Sequence, residues 1–137
     1  MGLIVLDAGV VIAALDADDV HHAEAVAALR DALERSDRLV LPVSAYAESL
    51  VGPSRRGADA VATLDAFLDA MPATVEPATR EIGRRAASLR AAHGRGLRLP
   101  DALVLATAAV AGADLVLTTD ERWPDTGVAV RVVGVSS

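Results

Sequence analysis

Leu3-Ile4-Val5-Leu6-Asp7-Ala8-Gly9-Val10-Val11-Ile12-Ala13 is the stretch on which the fold turns. Four consecutive apolar residues lack the alternation of a half-exposed strand, so Leu3–Leu6 is predicted to be a strand buried on both faces. Asp7 ends that run, and Asp7 to Leu15 is predicted to begin a short helix. A carboxylate between two apolar stretches is costly unless it is paired or bound to a cation. The same residue also suits the N-cap of the helix that follows.

Outward from this stretch, short apolar runs alternate with helical periods. Val26, Leu29 and Leu33 predict an amphipathic helix over roughly His21 to Arg35. Leu39 to Leu41 reads as a second strand, and Pro42 introduces a helix expected to end near Gly52-Pro53. Val61, Leu64, Leu68 and Met71 mark a further helix, stopped by Pro72. Thr74-Val75 reads as a third strand, and Ile82, Ala86 and Leu89 as a helix ending near Gly94. Pro100-Asp101 opens an apolar helix to about Ala111. Leu115 to Leu117 and Val128 to Val133 are the last strands. Strands and helices alternate and no tight hairpin signal intervenes. The expected fold is therefore three-layer α/β/α, with a mainly parallel sheet of about five strands. Residues 1–137 read as a single domain, with no linker, repeat or low-complexity tract.

Composition narrows the chemistry. The chain has 137 residues, 53% apolar but only 2% aromatic, so Ala, Val, Leu and Ile must fill the core. There is no cysteine, which excludes disulfides, thiolate metal sites and thiol nucleophiles. All thirteen basic residues are arginine. The start does not read as a signal peptide, and the uncharged run from Ala102 to Ala113 is too short to span a bilayer. A soluble, cytoplasmic protein without membrane contact is the expectation. A net charge of -6 argues against holding nucleic acid by a broadly basic surface. It leaves open an approach to phosphate through bound cations.

Most acids of the chain fall on polar helix faces or in turns. Four lie in locally apolar settings: Asp7, Glu48, Asp101 and Asp120. Taken singly, Glu48 also reads as an exposed helix residue beside Arg55 or Arg56. Asp101 after Pro100 reads as a helix cap, and Asp120 as a loop acid after a strand. Taken together, they sit at strand ends or helix starts of one α/β domain, where ligand sites form beyond the carboxyl ends of the strands. Gathered acids raise one another's pKa unless a cation neutralises them. Hard divalent ions such as Mg²⁺ or Mn²⁺ take oxygen ligands, and can activate water against a phosphodiester. The pattern points to phosphoryl-group hydrolysis without a nucleophilic side chain.

Four ordered segments carry a family resemblance. They are Val5-Leu6-Asp7-Ala8-Gly9-Val10-Val11-Ile12-Ala13, Pro42-Val43-Ser44-Ala45-Tyr46-Ala47-Glu48, Leu99-Pro100-Asp101-Ala102-Leu103-Val104-Leu105-Ala106-Thr107-Ala108 and Leu117-Thr118-Thr119-Asp120-Glu121-Arg122-Trp123. In order, spacing and total length the chain resembles the PIN-domain ribonucleases, specifically the VapC-like toxins of bacterial toxin–antitoxin pairs. The resemblance implies an endoribonuclease using Mg²⁺ or Mn²⁺. It further implies an acidic pocket of Asp7, Glu48, Asp101 and Asp120, with Asp7 and Asp101 as the main metal ligands. Thr118 would support that network. It implies two partners as well, a VapB-like antitoxin whose tail occludes the pocket and a second copy in a homodimer. One departure stands out: the usual Thr-Asn-Asp is Thr118-Thr119-Asp120 here, a hydroxyl in place of an amide.

Other readings compete. Receiver domains need a lysine near their acids, and none exists. Haloacid-dehalogenase-like phosphatases place a second Asp two residues after the first, where this chain has Gly9. No Gly-rich phosphate loop ends in Lys. A catalytically inactive PIN-like module binding RNA or protein is the alternative of a different class. Arg55 and Arg56 fall where an RNA backbone would pass the pocket, and a solvated turn explains them equally well. His21, His22 and His93 show no zinc spacing and read as exposed or locally bonded. Trp123 reads as packing over the last strand rather than stacking on a base.

Overall fold

The computed structural model describes residues 1–135. Five strands form one sheet: β1 (Leu3–Leu6), β2 (Arg38–Pro42), β3 (Ala73–Glu76), β4 (Leu115–Thr118) and β5 (Val130–Val132). Six helices connect them: α1 (Ala8–Leu15), α2 (His22–Glu34), α3 (Val43–Arg56), α4 (Ala58–Ala70), α5 (Arg80–His93) and α6 (Leu99–Ala111). The sheet order is β3-β2-β1-β4-β5, and every pairing is parallel. The expectation of a mainly parallel sheet of about five strands is met, with all neighbours parallel.

Burial explains the order. Ile4, Val5 and Leu6 of β1, Leu39, Val40 and Leu41 of β2, and Val116 and Leu117 of β4 are buried in succession. Successive residues point to opposite faces, so these three strands must be covered on both sides and belong at the centre. The edge strands β3 and β5 are only partly covered. The helix α6 packs against the sheet with Ala102, Val104, Leu105, Ala106 and Ala108 buried. The order reverses between β1, which leads to β2 and β3 on one side, and β4, which leads to β5 on the other. In open parallel sheets that switch point leaves a crevice at the carboxyl ends of the strands.

Four details differ from the sequence reading. First, α3 does not end at Gly52-Pro53 but runs on to Arg56. Pro53 removes one helical hydrogen bond, yet it is buried, and the helix stops only at Gly57, whose φ of 124° no helix accommodates. Second, β5 covers only Val130–Val132 of the expected Val128–Val133. The preceding loop turns at Gly127, with a φ of 85°, and the register with β4 begins at Val130. Third, the buried face of α2 is Ala25, Ala28, Leu29 and Ala32, while Leu33 is exposed. The alanines permit a closer approach than the larger residues would. Fourth, a short 3₁₀ turn, Gly94–Gly96, follows α5. Among the described residues no helix is long and apolar enough to cross a membrane.

Candidate active site

Asp7 lies where β1 gives way to α1, at the switch point. It is the N-cap of α1, as its position suggests, and its Oδ1 accepts the Ala8 N–H at 2.9 Å. Its other oxygen, Oδ2, accepts the Thr118 hydroxyl from the end of β4 at 2.8 Å. Asp7 is only 7% exposed and Thr118 is fully buried. Burial pushes the Asp7 carboxyl up to about 6 against the two hydrogen bonds, with the charges of Asp101 and Glu48 adding to the rise. The Thr118 hydroxyl also accepts the Asp120 backbone N–H at 3.1 Å. One side chain thus ties Asp7 to the loop that carries Asp120.

Asp101 departs from its local reading as a cap. The N-cap of α6 is Arg98, which makes no side-chain capping bond; Pro100 occupies the opening turn, and Asp101 follows it. Its carboxylate is left for other partners. Arg98 Nε stands 3.5 Å from Asp101 Oδ2. Burial raises the Asp101 carboxyl above its ordinary range, Arg98 opposes the rise and Asp120 adds to it. Trp123 packs against the core, as its apolar ring suggested. Its indole N–H is buried without a full hydrogen bond, yet lies near enough to Asp101 to favour the ionised carboxylate.

Asp120 is held by its own loop. Arg122 reaches both carboxylate oxygens, Nε to Oδ1 at 3.2 Å and Nη2 to Oδ2 at 3.3 Å, and the Arg122 N–H bonds Oδ1 at 2.9 Å. These contacts, Arg122 foremost, hold the Asp120 carboxyl below the usual range. Glu48 stands apart. It is exposed on α3 and, among the described residues, makes no ion pair with Arg55 or Arg56. It lines an open cavity of about 360 Å³ with Ile12 and Leu15 of α1 and with Pro53, Arg56 and Leu64. Arg56 therefore shares a cleft with Glu48, whereas Arg55 is exposed outside it. His21 and His22 are locally bonded, to Asp19 and to the Ala13 carbonyl.

The donors facing the switch point are carboxylate and hydroxyl oxygens, which suit a hard divalent cation. Among the described residues no three His, Asp or Glu side chains are grouped closely enough to hold a metal ion by themselves. Such an ion would rest on one or two of these carboxylates and keep several waters, the habit of Mg²⁺. The sequence reading did not single out Arg98 and Arg122, which pair with Asp101 and Asp120. Their spacing, three residues before Asp101 and two after Asp120, was the available signal.

Carboxylates converging on the switch point of a covered parallel sheet define an α/β domain with an acidic site. The chain belongs to the PIN domain family, whose model matches residues 4–129. A search of curated proteins returns no match. Among solved structures, the chain is similar to VapBC-5 of Mycobacterium tuberculosis, a member of the VapBC family of toxin–antitoxin systems. The identity is 26%, the TM-score 0.61, and the match covers 98% of this chain and 100% of that one. It is also similar to FitAcB of Neisseria gonorrhoeae, at 22% identity and TM-score 0.70, over 93% of this chain and 95% of that one. VapC20 of Mycobacterium tuberculosis, a sarcin-ricin loop cleaving toxin, matches at 20% identity and TM-score 0.66, over 90% of each chain.

Proposed function

We propose that this chain is a metal-dependent endoribonuclease, the toxin of a VapBC-type toxin–antitoxin pair, built as one nuclease domain over residues 1–137. The observation that carries this reading is the Asp7 carboxylate, buried at the switch point and raised to about 6, with Asp101 and Glu48 adding to the rise. A carboxylate buried with other acids in range of its charge ionises at a cost that a bound cation would relieve. Asp7 and Asp101 would hold a Mg²⁺ or Mn²⁺ ion, with Glu48 and Asp120 completing the pocket or holding its water. When bound, such an ion neutralises phosphodiester charge and activates water for in-line attack.

The chain's own residues then have distinct tasks. Thr118 and the Ala8 N–H fix the two oxygens of Asp7, so the carboxylate meets an incoming ion in one orientation. Arg98 and Trp123 orient Asp101, and Arg122 orients Asp120. Arg55 and Arg56, exposed at the end of α3, contact the RNA backbone as it passes the Glu48 cleft, positioning it without reading sequence. The partners are an RNA substrate, a VapB-like antitoxin whose tail covers the acidic pocket, and a second copy of the chain. A similar structure, a toxin–antitoxin complex from Klebsiella pneumoniae, supports the second of these. The site of action is the cytoplasm.

The test is incubation of the purified chain with structured RNA and Mg²⁺, with and without chelator. Chelator-sensitive internal cleavage is the expected result, and unchanged RNA in both arms would refute the nuclease. The second reading, an inactive module binding RNA or protein, draws on the exposed Glu48 and on the lack of a three-ligand group among the described residues. A calorimetric titration with Mg²⁺ and Mn²⁺ discriminates the two, since no ion binding would favour the module.

A further inference from the structure

Gly9 occupies the first turn of α1. Its φ is not in the left-handed region, so nothing in the backbone requires glycine there. Glycine is, moreover, the poorest helix former after proline. What requires it is space. A Cβ at position 9 would lie 2.2 Å from Thr119 Oγ1, and 3.4 and 3.5 Å from Thr119 Cβ and Cγ2. Real Cβ contacts essentially never fall below 3.0 Å. Thr119 is β-branched and therefore stiff about χ1. It sits between Thr118, which bonds Asp7, and Asp120, whose N–H bonds Thr118. The Thr119 hydroxyl is thus seated on the bare face of Gly9. That contact presses the turn carrying Asp120 against the turn that begins at Asp7.

We propose that Gly9 and Thr119 are a matched positioning pair that sets the spacing of the Asp7 and Asp120 carboxylates. The pair rests on the metal-dependent reading above and deepens it. Neither residue is catalytic; each acts through the carboxylate beside it. The pair also gives the hydroxyl at position 119 a physical task, because a larger residue at 9 and this threonine exclude each other. A methyl group at position 9 must either turn the Thr119 hydroxyl out of its seat or push the 118–120 turn away from α1.

The experiment is a double-variant cycle in the full chain: Gly9→Ala, Thr119→Ala and both together. Alanine at 119 leaves only the Cβ, whose 3.4 Å separation is an ordinary contact. Two readouts are taken, the thermal unfolding midpoint in chelator and the Mg²⁺ affinity by calorimetry. The pair predicts that Gly9→Ala lowers the midpoint in the native background but raises it in the Thr119→Ala background, where helix propensity acts alone. It also predicts that Gly9→Ala weakens Mg²⁺ binding by about tenfold or more, the scale set by residues that orient metal ligands. The double variant should return to the affinity of Thr119→Ala. A midpoint that rises equally in both backgrounds would overturn the pair. A lowered midpoint with unchanged Mg²⁺ affinity would reduce it to a packing contact and overturn the positioning role. Absence of Mg²⁺ and Mn²⁺ binding in the unmodified chain would defeat the metal reading and the spacing role together. Intact binding with additive variants would defeat the pair alone.

Discussion

Asp7→Asn separates the cost of the Asp7 carboxylate from its use. Burial holds this group at about 6 against an ordinary value of 3.8. At about 1.4 kcal/mol per pKa unit, ionising it inside the fold costs about 3 kcal/mol. The folded chain binds this proton more tightly than the unfolded chain. Stability is therefore highest below 3.8, falls as pH rises through the window from 3.8 to about 6, and stays reduced above it. Asparagine is neutral throughout and escapes that cost. Its amide oxygen can still accept the Ala8 N–H. Its NH₂ group faces a Thr118 hydroxyl that formerly donated, a mismatch worth about 1 kcal/mol. With chelator present, the variant should be about 2 kcal/mol more stable than the native chain near pH 7.5, and within about 0.5 kcal/mol of it near pH 4.5. Urea unfolding at the two pH values reads this directly. The variant should also lose RNA cleavage and the stabilisation that Mg²⁺ gives the native chain. An equal stability difference at both pH values would refute the assignment of a raised, buried carboxyl to Asp7.

Thr118→Val removes the hydroxyl that bonds Asp7 Oδ2 and the Asp120 N–H. It should destabilise the chain by about 1–3 kcal/mol and raise the Asp7 carboxyl further, as ¹³C-detected carboxyl titration would report; an unmoved titration would count against the link. Arg122→Ala should bring the Asp120 carboxyl up toward its ordinary range, because Arg122 is the main cause of its depression; the same titration checks it. Arg55→Ala with Arg56→Ala should weaken binding of single-stranded RNA. The slope of log affinity against log salt should become shallower by about 0.7 for each phosphate that is no longer neutralised. An unchanged slope would return both arginines to a solvated role.

The centre of the fold was legible in the sequence because it is buried on both faces. Leu3–Leu6, Leu39–Leu41 and Leu115–Leu117 are continuous apolar runs, and each lies in a central strand. The edges were less legible. The Val-rich stretch from Val128 promised a longer last strand, but only Val130–Val132 keep register with β4, whose hydrogen bonds to this segment run from the Ala129 carbonyl to the Val133 N–H. Pro53 looked like a helix stop because local rules do not weigh the burial that keeps it inside α3. The acids were visible as charges in apolar surroundings, most clearly Asp7. Asp101 was masked by a sequence that suits a helix cap, and only the position of the N-cap at Arg98 frees it. The exposed side chains Arg98 and Arg122 carry no burial signature. The Gly9–Thr119 contact joins segments far apart in the chain, and neither residue alone hints at the other.

The central claim is that Asp7, Glu48, Asp101 and Asp120 serve one metal-dependent hydrolytic site. The most direct measurement compares Mg²⁺-dependent RNA cleavage by the native chain with that of Asp7→Asn, Glu48→Gln, Asp101→Asn and Asp120→Asn, each first shown to be folded. All four variants should lose cleavage, Asp7→Asn and Asp101→Asn most completely. RNA fragment patterns and rates from Asp101→Asn identical to those of the native chain would contradict it.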